Sequence, residues 1–247
     1  MANTNGDRGG KTLRVLLIGF SPVICEGLSA ILTKDPTIEV SGTATDAQEA
    51  LRQLREAAGD KRPVNIVLTE TRNANIDGVE VTRLIKEGYP TTAVMVLTEH
   101  HNDAHVIDAI HAGADGLMFL KDMSATVLLE SIHRVAEGGT QMKTSLLRAA
   151  VDALLLNGRR TLAERTTEAA HLTVREVDVL RLMGNGESNK AIGEALGITL
   201  DTSKKHVRNV IDKLQAKSRT HASIIAAQAG IVGKPIEPIV NALAKSA

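Results

Sequence analysis

Tryptophan is missing from this chain, and one tyrosine and two phenylalanines are all its aromatic residues. Proteins grip sugar rings and unpaired bases by stacking them on aromatic faces, so so few rings argue against that kind of groove. A single cysteine, Cys25, rules out an internal disulfide framework and fits a reducing compartment. No apolar run approaches the roughly 18 residues of a membrane span. The opening residues "MANTNGDRGGK" lack the apolar stretch of a signal peptide. The expectation is a soluble protein of the cytoplasm with no membrane partner. Neither charge is in excess, with 29 Lys+Arg against 29 Asp+Glu.

The balance conceals a division. Residues 11–140 carry 12 Lys+Arg against 18 Asp+Glu, whereas residues 171–230 carry 9 against 6 together with His171, His206 and His221. In 247 residues, 43% of them hydrophobic, there is room for two ordinary domains with cores of their own. An acidic front and a basic rear point to domains with different partners.

The front half alternates short apolar runs with amphipathic stretches. The runs are "LRVLLI" (13–18), "IEVSG" (38–42), "NIVL" (65–68), "AVMVL" (93–97) and "GLMFL" (116–120). Between them lie "PVICEGLSAILTK", "DAQEALRQLREA", "DGVEVTRLIKEG" and "DAHVIDAIHAG", and "SATVLLESIHRVAEGG" closes the series. Strands alternating with helices in this way predict βαβ units and a five-stranded, doubly wound parallel sheet. Ligands and chemistry gather outside the carboxyl ends of such strands. There stand Gly19 and Phe20 after the first run, Glu70 two residues past the third, Thr98 after the fourth and Lys121 after the fifth. His101 and His105 in "EHHNDAH" have helical spacing, but no third ligand completes a metal site, and a polar loop opening the fourth helix is the plainer reading. Cys25 reads as a small packed side chain.

Residues 12–140 resemble the receiver domain of bacterial two-component response regulators. The words that carry the likeness are "RVLLIGFSPVICEGL", "NIVLTETRNANIDGVE", "VLTEHHNDAHVIDAIHAGADG" and Lys121-Asp122. In that family an acidic pair after the first strand holds Mg²⁺, an Asp after the third accepts phosphate, and a Thr or Ser and a Lys after the fourth and fifth bind it. The resemblance gives Thr98 and Lys121 those last two roles. Gly19 and Phe20 replace the acidic pair, and Glu70 replaces the acceptor. Magnesium needs oxygen ligands in near-octahedral array, and a hydrogen atom and a phenyl ring supply none. The expectation is a degenerate pocket without ordinary phosphorylation. Glu70 then either forms an ion pair with Lys121 or a hydrogen bond with Thr98, or imitates a phosphate with a fixed charge. "GLMFLK" also sets one residue more than usual between Gly116 and Lys121, with Leu117 where an aromatic switch residue is common unless a bulge brings Phe119 there.

The rear half is punctuated sharply. Thr173 and Glu176 form a capping box ahead of Val177, Leu180 and Met183, which share one helix face. "GNGES" ends that helix, "SNKAIGEAL" makes a second, and "GIT" is a tight turn. A third helix is expected from about Leu200 to Leu214, with Thr199 as its N-cap. Two helices joined by so short a turn are the core of a helix-turn-helix unit. In the third helix Val207, Val210, Ile211 and Leu214 follow the buried spacing, while Lys204, Lys205 and Arg208 fall opposite, with Thr202, Asn209 and Lys213 nearby. Cations so placed can meet phosphates or guanine edges in a major groove.

Residues 171–228 resemble the LuxR/FixJ-type DNA-binding domain through "LTVREVDVLRLM", "SNKAIGEALGI", "TSKKHVRNVIDKL" and "SRTHA". Its order after a receiver is that of NarL/FixJ response regulators. The resemblance implies base contacts from Lys204, Lys205 and Arg208, and phosphate contacts from Ser188, Asn189, Lys190 and Thr202. It also implies that the helix around "HASIIAAQAG" helps two copies meet. Asp201 departs from the pattern, standing where a Lys is frequent.

Five segments are therefore expected: a tail (1–11), the receiver-like domain (12–140), a partly helical linker (141–170), a four-helix domain (171–230) and a second tail (231–247). The function they suggest is a bacterial transcription regulator binding double-stranded DNA as a homodimer. Its input would be constitutive dimerisation, a small-molecule ligand or a protein partner. An interaction module that pairs with a second regulator and seldom binds DNA alone is the alternative. No nucleophile–base pair argues for an enzyme, and no cofactor is implied.

Overall fold

The computed structural model describes residues 12–71, 76–99, 103–141 and 172–231. The expected tails (all of 1–11, and 232–247 of the second) and nearly all of the linker lie outside those residues, as does His101. The front domain runs β1 (Leu13–Ile18), α1 (Pro22–Leu32), β2 (Ile38–Ala44), α2 (Ala47–Gly59), β3 (Ile66–Glu70), α3 (Gly78–Gly88), β4 (Ala93–Thr98), α4 (Asp103–Ala112), β5 (Gly116–Phe119) and α5 (Ala125–Ala136). The five strands are parallel, in the order β2-β1-β3-β4-β5. The doubly wound sheet expected from the sequence is the one observed.

Polar side chains start these helices. Asp46, Asp77 and Ser124 accept backbone N–H bonds at the first turns of α2, α3 and α5, and Pro22 stands in the first turn of α1, where its missing N–H costs nothing. Along the strands, side chains alternate between faces and divide the core in two. Leu16, Ile18, Val67, Val94 and Val96 pack beneath α2, α3 and α4. Val15, Leu17, Ile66, Leu68, Met95 and Leu97 pack beneath α1 and α5.

The rear domain has the four expected helices: α6 (Val174–Gly184), α7 (Asn189–Leu196), α8 (Leu200–Lys213) and α9 (Arg219–Gln228). Both halves of the capping box at Thr173 and Glu176 are formed. Gly197 ends α7 in the left-handed region at φ 64°, which only a residue without a Cβ adopts at little cost, and this turns the chain into α8. Val179, Leu180, Met183, Ile192, Val207, Val210 and Leu214 form the domain's own core.

The two domains touch through α9. Ile224, fully buried, belongs to the receiver's hydrophobic cluster with Val106, Ala109 and Ile110 rather than to the core of its own domain. Thr220 donates its hydroxyl proton to the Asp115 carbonyl at 3.0 Å, and the rings of His111 and His221 stack with centroids 5.8 Å apart.

Candidate nucleic-acid interface and receiver pocket

At the carboxyl edge of the sheet the expected residues do converge. Glu70 is the last residue of β3, in register with Leu97, and Thr98 is in register with Phe119. The strand thus runs two residues past its apolar stretch, because backbone pairing with β4 continues after the hydrophobic side chains stop. Gly78, opening α3, presses so closely on this edge that an added Cβ would stand 1.8 Å from the Glu70 carbonyl oxygen.

Phe20 is buried among Leu17, Leu28, Leu97 and Met118. Where an acidic side chain would face a metal, the chain has a ring anchored in the core. Gly19 offers nothing in its place, so Glu70 alone remains of the carboxylates expected there. This set does not fit a Mg²⁺ site. Cys25 lies beside it, half-buried, with Sγ 3.7 Å from the Phe20 carbonyl oxygen. Burial first and the Glu70 charge second push its thiol above the ordinary range, which makes it a packed side chain and a poor nucleophile.

The expected Glu70–Lys121 ion pair is not formed. Leu120–Asp122 make a single 3₁₀ turn after β5, and this carries Lys121 outward. Its ammonium lies 6.0 Å from the centroid of the Phe119 ring and is exposed. Leu117 is buried, as is Phe119. The extra residue between Gly116 and Lys121 is what lengthens the exit from the strand.

In the rear domain α8 is capped by Thr199, whose Oγ1 accepts from the Thr202 amide at 3.2 Å. Its apolar side buries Val207 and Val210, and the opposite side exposes Lys204, Lys205, Arg208 and Asn209. Lys190 is exposed on α7. Ser188 accepts from the Ala191 amide, and the Thr202 hydroxyl meets that of Thr199 at 2.9 Å, so both serve first as parts of helix caps.

Two expected contacts are turned to other partners. Asn189 is buried, and its Oδ1 accepts from Arg219 Nη1 at 3.1 Å. Lys213 places Nζ 2.7 Å from Glu176 Oε2. Burial alone would raise the Glu176 carboxyl, but hydrogen bonds from Lys213 and Thr173 outweigh it and hold it below the ordinary value. Lys213 therefore joins the far end of α8 to the capping box of α6.

Arg219 was not singled out in the sequence. It is 5% exposed, bonded to Asn189 and to the Glu187 carbonyl. Burial lowers its guanidinium to about 10 against the supporting charges of Asp115 and Glu187. Its only signal was position, a cation just after the Ser218 cap of a helix otherwise rich in alanine and isoleucine. Arg219 lies at the edge of a cavity of 670 Å³ between the domains, walled on one side by Lys204, Val207 and Arg208 of α8. Pro63, Asn65, Pro90 and Thr91 of the receiver form the other side.

Two family models match: "Response regulator receiver domain" over residues 15–133 and "Bacterial regulatory proteins, luxR family" over residues 170–226. The transcriptional regulatory protein LnrK of Bacillus subtilis is 33% identical over 223 residues, covering 89% of this chain and 98% of that one. The transcriptional regulatory protein LiaR of the same organism is 32% identical over 214 residues, covering 87% and 96%. Among solved structures, a LuxR-family two-component response regulator from Aurantimonas sp. SI85-9A1 aligns with a TM-score of 0.51 at 25% identity, covering 58% of this chain and 99% of that one.

Proposed function

Because this chain belongs to the transcriptional regulatory response regulators with a LuxR-type DNA-binding domain, we propose that it binds double-stranded DNA as a homodimer and takes its input without ordinary aspartyl phosphorylation. The observation that carries the second half is Phe20. Phosphoryl transfer depends on positioning and on neutralising charge as it develops. A buried phenyl ring beside a glycine cannot bring a metal to Glu70, and Lys121 has left the pocket for Phe119. For DNA, the exposed row Lys204, Lys205 and Arg208 supports base contacts, and Lys190 supports a phosphate contact.

The docked arrangement adds a condition. Lys204 and Arg208 face the receiver across the cavity, and α9, the helix expected to join two copies, has Ile224 in the receiver's own core. The domains must part before the recognition helix enters a major groove and before α9 meets a second copy. DNA favours the parted form, and a ligand or a protein partner acts by shifting the balance between the two.

Incubation with acetyl phosphate and Mg²⁺ tests the reading. The expected result is no added phosphoryl mass and unchanged affinity for captured genomic sites. A stable, Mg²⁺-dependent adduct on Glu70 that alters DNA affinity overturns it.

A further inference from the structure

The cavity between the domains has an unbalanced wall. Of the cations lining it, Lys86 forms an ion pair with Asp115. Lys204, Arg208 and Lys217 stand in the same wall, and none is ion-paired with a described residue. Glu137 and Asp212 are the other acids that line it. At its edge Arg219 is buried with both terminal nitrogens engaged by neutral acceptors, and its Nε–H has no acceptor among the described residues. A guanidinium whose bonds go to an amide oxygen and a carbonyl is balanced there only through space, by Asp115 and Glu187. Two more cations, Lys204 and Arg208, come from the recognition helix, where base edges of a major groove would otherwise meet them.

We infer that this cavity is a binding site for a small phosphate-bearing polyanion, held between the recognition helix and the receiver. Its volume lies within the range of small-ligand sites, about 300–1,000 Å³. Its lining comes from both domains: Lys204 and Arg208 from α8, Lys217 from the turn before α9, and Lys86, Pro90 and Thr91 from the receiver. A ligand bridging them stabilises the docked arrangement only, because the two walls separate when the domains part. By linkage it must lower DNA affinity as much as DNA lowers its own binding. The inference rests on the reading that the input is not phosphoryl transfer. It names one chemistry for that input, a phosphate group bound whole and not transferred.

Calorimetry with the full chain and inorganic pyrophosphate tests it directly, without DNA. Matched titrations with sodium chloride at equal ionic strength separate site binding from screening. Saturable binding is expected with pyrophosphate and none with chloride. A Thr91→Trp variant fills the receiver side of the cavity from an exposed turn and leaves every DNA-facing residue in place. It should lose pyrophosphate binding by roughly tenfold or more while keeping its circular dichroism spectrum, and pyrophosphate should no longer lower its DNA affinity. Lys217→Ala should weaken the anion alone in the same way. Absence of saturable binding overturns the inference, as does equal binding by Thr91→Trp, which would place the anion on the recognition helix by itself. Either failure leaves DNA recognition untouched, since that is read by capture without the anion.

Discussion

Asp35 shows how one side chain's surroundings become a pH dependence. The Thr37 hydroxyl at 2.6 Å, the His133 ring at 2.8 Å and the Thr37 amide at 2.9 Å all favour its charged form, which brings the carboxyl from 3.8 to about 2. A folded-state value below the ordinary one contributes stability that is fully present above 3.8 and is lost as pH falls toward about 2. Asp35→Asn should therefore melt at a lower temperature than the unchanged chain at about pH 7, with the gap narrowing below 3.8 and closing only as pH falls below about 2. A gap that stays equal as pH falls would show that the residue acts by shape and not by charge. Such a cluster was beyond the sequence, because Asp35 and His133 are brought together by the packing of α1 and α5. Glu70 failed the other way. Its position was plain from the strand pattern, but its partner was not, since the direction of Lys121 depends on one extra residue becoming a 3₁₀ turn.

Elements were far more legible than contacts. Thr173 and Thr199, read as caps from the sequence, each start a helix of the rear domain, and Ser188 and Ser218 do the same for the other two. Local hydrogen bonds of this kind involve residues two or three apart, so sequence alone carries them. Asn189 and Lys213 show the opposite case. The resemblance offered Asn189 and the face of the third helix offered Lys213, yet each has a partner on another helix, Arg219 on α9 and Glu176 on α6. The exposed row of α8 stays the candidate for reading bases. Arg208→Ala should cost roughly 1–3 kcal/mol on the true site and relax base preference, whereas Lys190→Ala should weaken all sequences alike. Filter binding to matched and scrambled duplexes at fixed salt checks both. An Arg208→Ala protein that discriminates as well as the parent would move the reading function to another face.

At the scale of the molecule, Ile224 belongs to one domain by sequence and to the other by packing. Removing a buried Ile side chain typically costs about 2–5 kcal/mol. Here that loss falls on the contact between the domains, since the helical domain's own core lies elsewhere. Ile224→Ser should leave both domains folded by circular dichroism, raise DNA affinity and promote dimerisation seen by light scattering. Unchanged affinity with a dimer no easier to form would mean that docking does not compete with either partner. No sequence pattern announced this contact, because Ile224 fits the apolar face of α9 equally well whatever covers it. Its consequence reaches the way the protein responds to its own abundance. The receiver that covers α9 is carried on the same chain, so it competes at an effective concentration that does not depend on how much protein is made. Synthesising more protein raises the supply of DNA readers and of their covers in equal measure. The fraction of uncovered monomers therefore stays constant with expression level, and only pairing between opened chains makes the response rise more steeply than the protein's concentration.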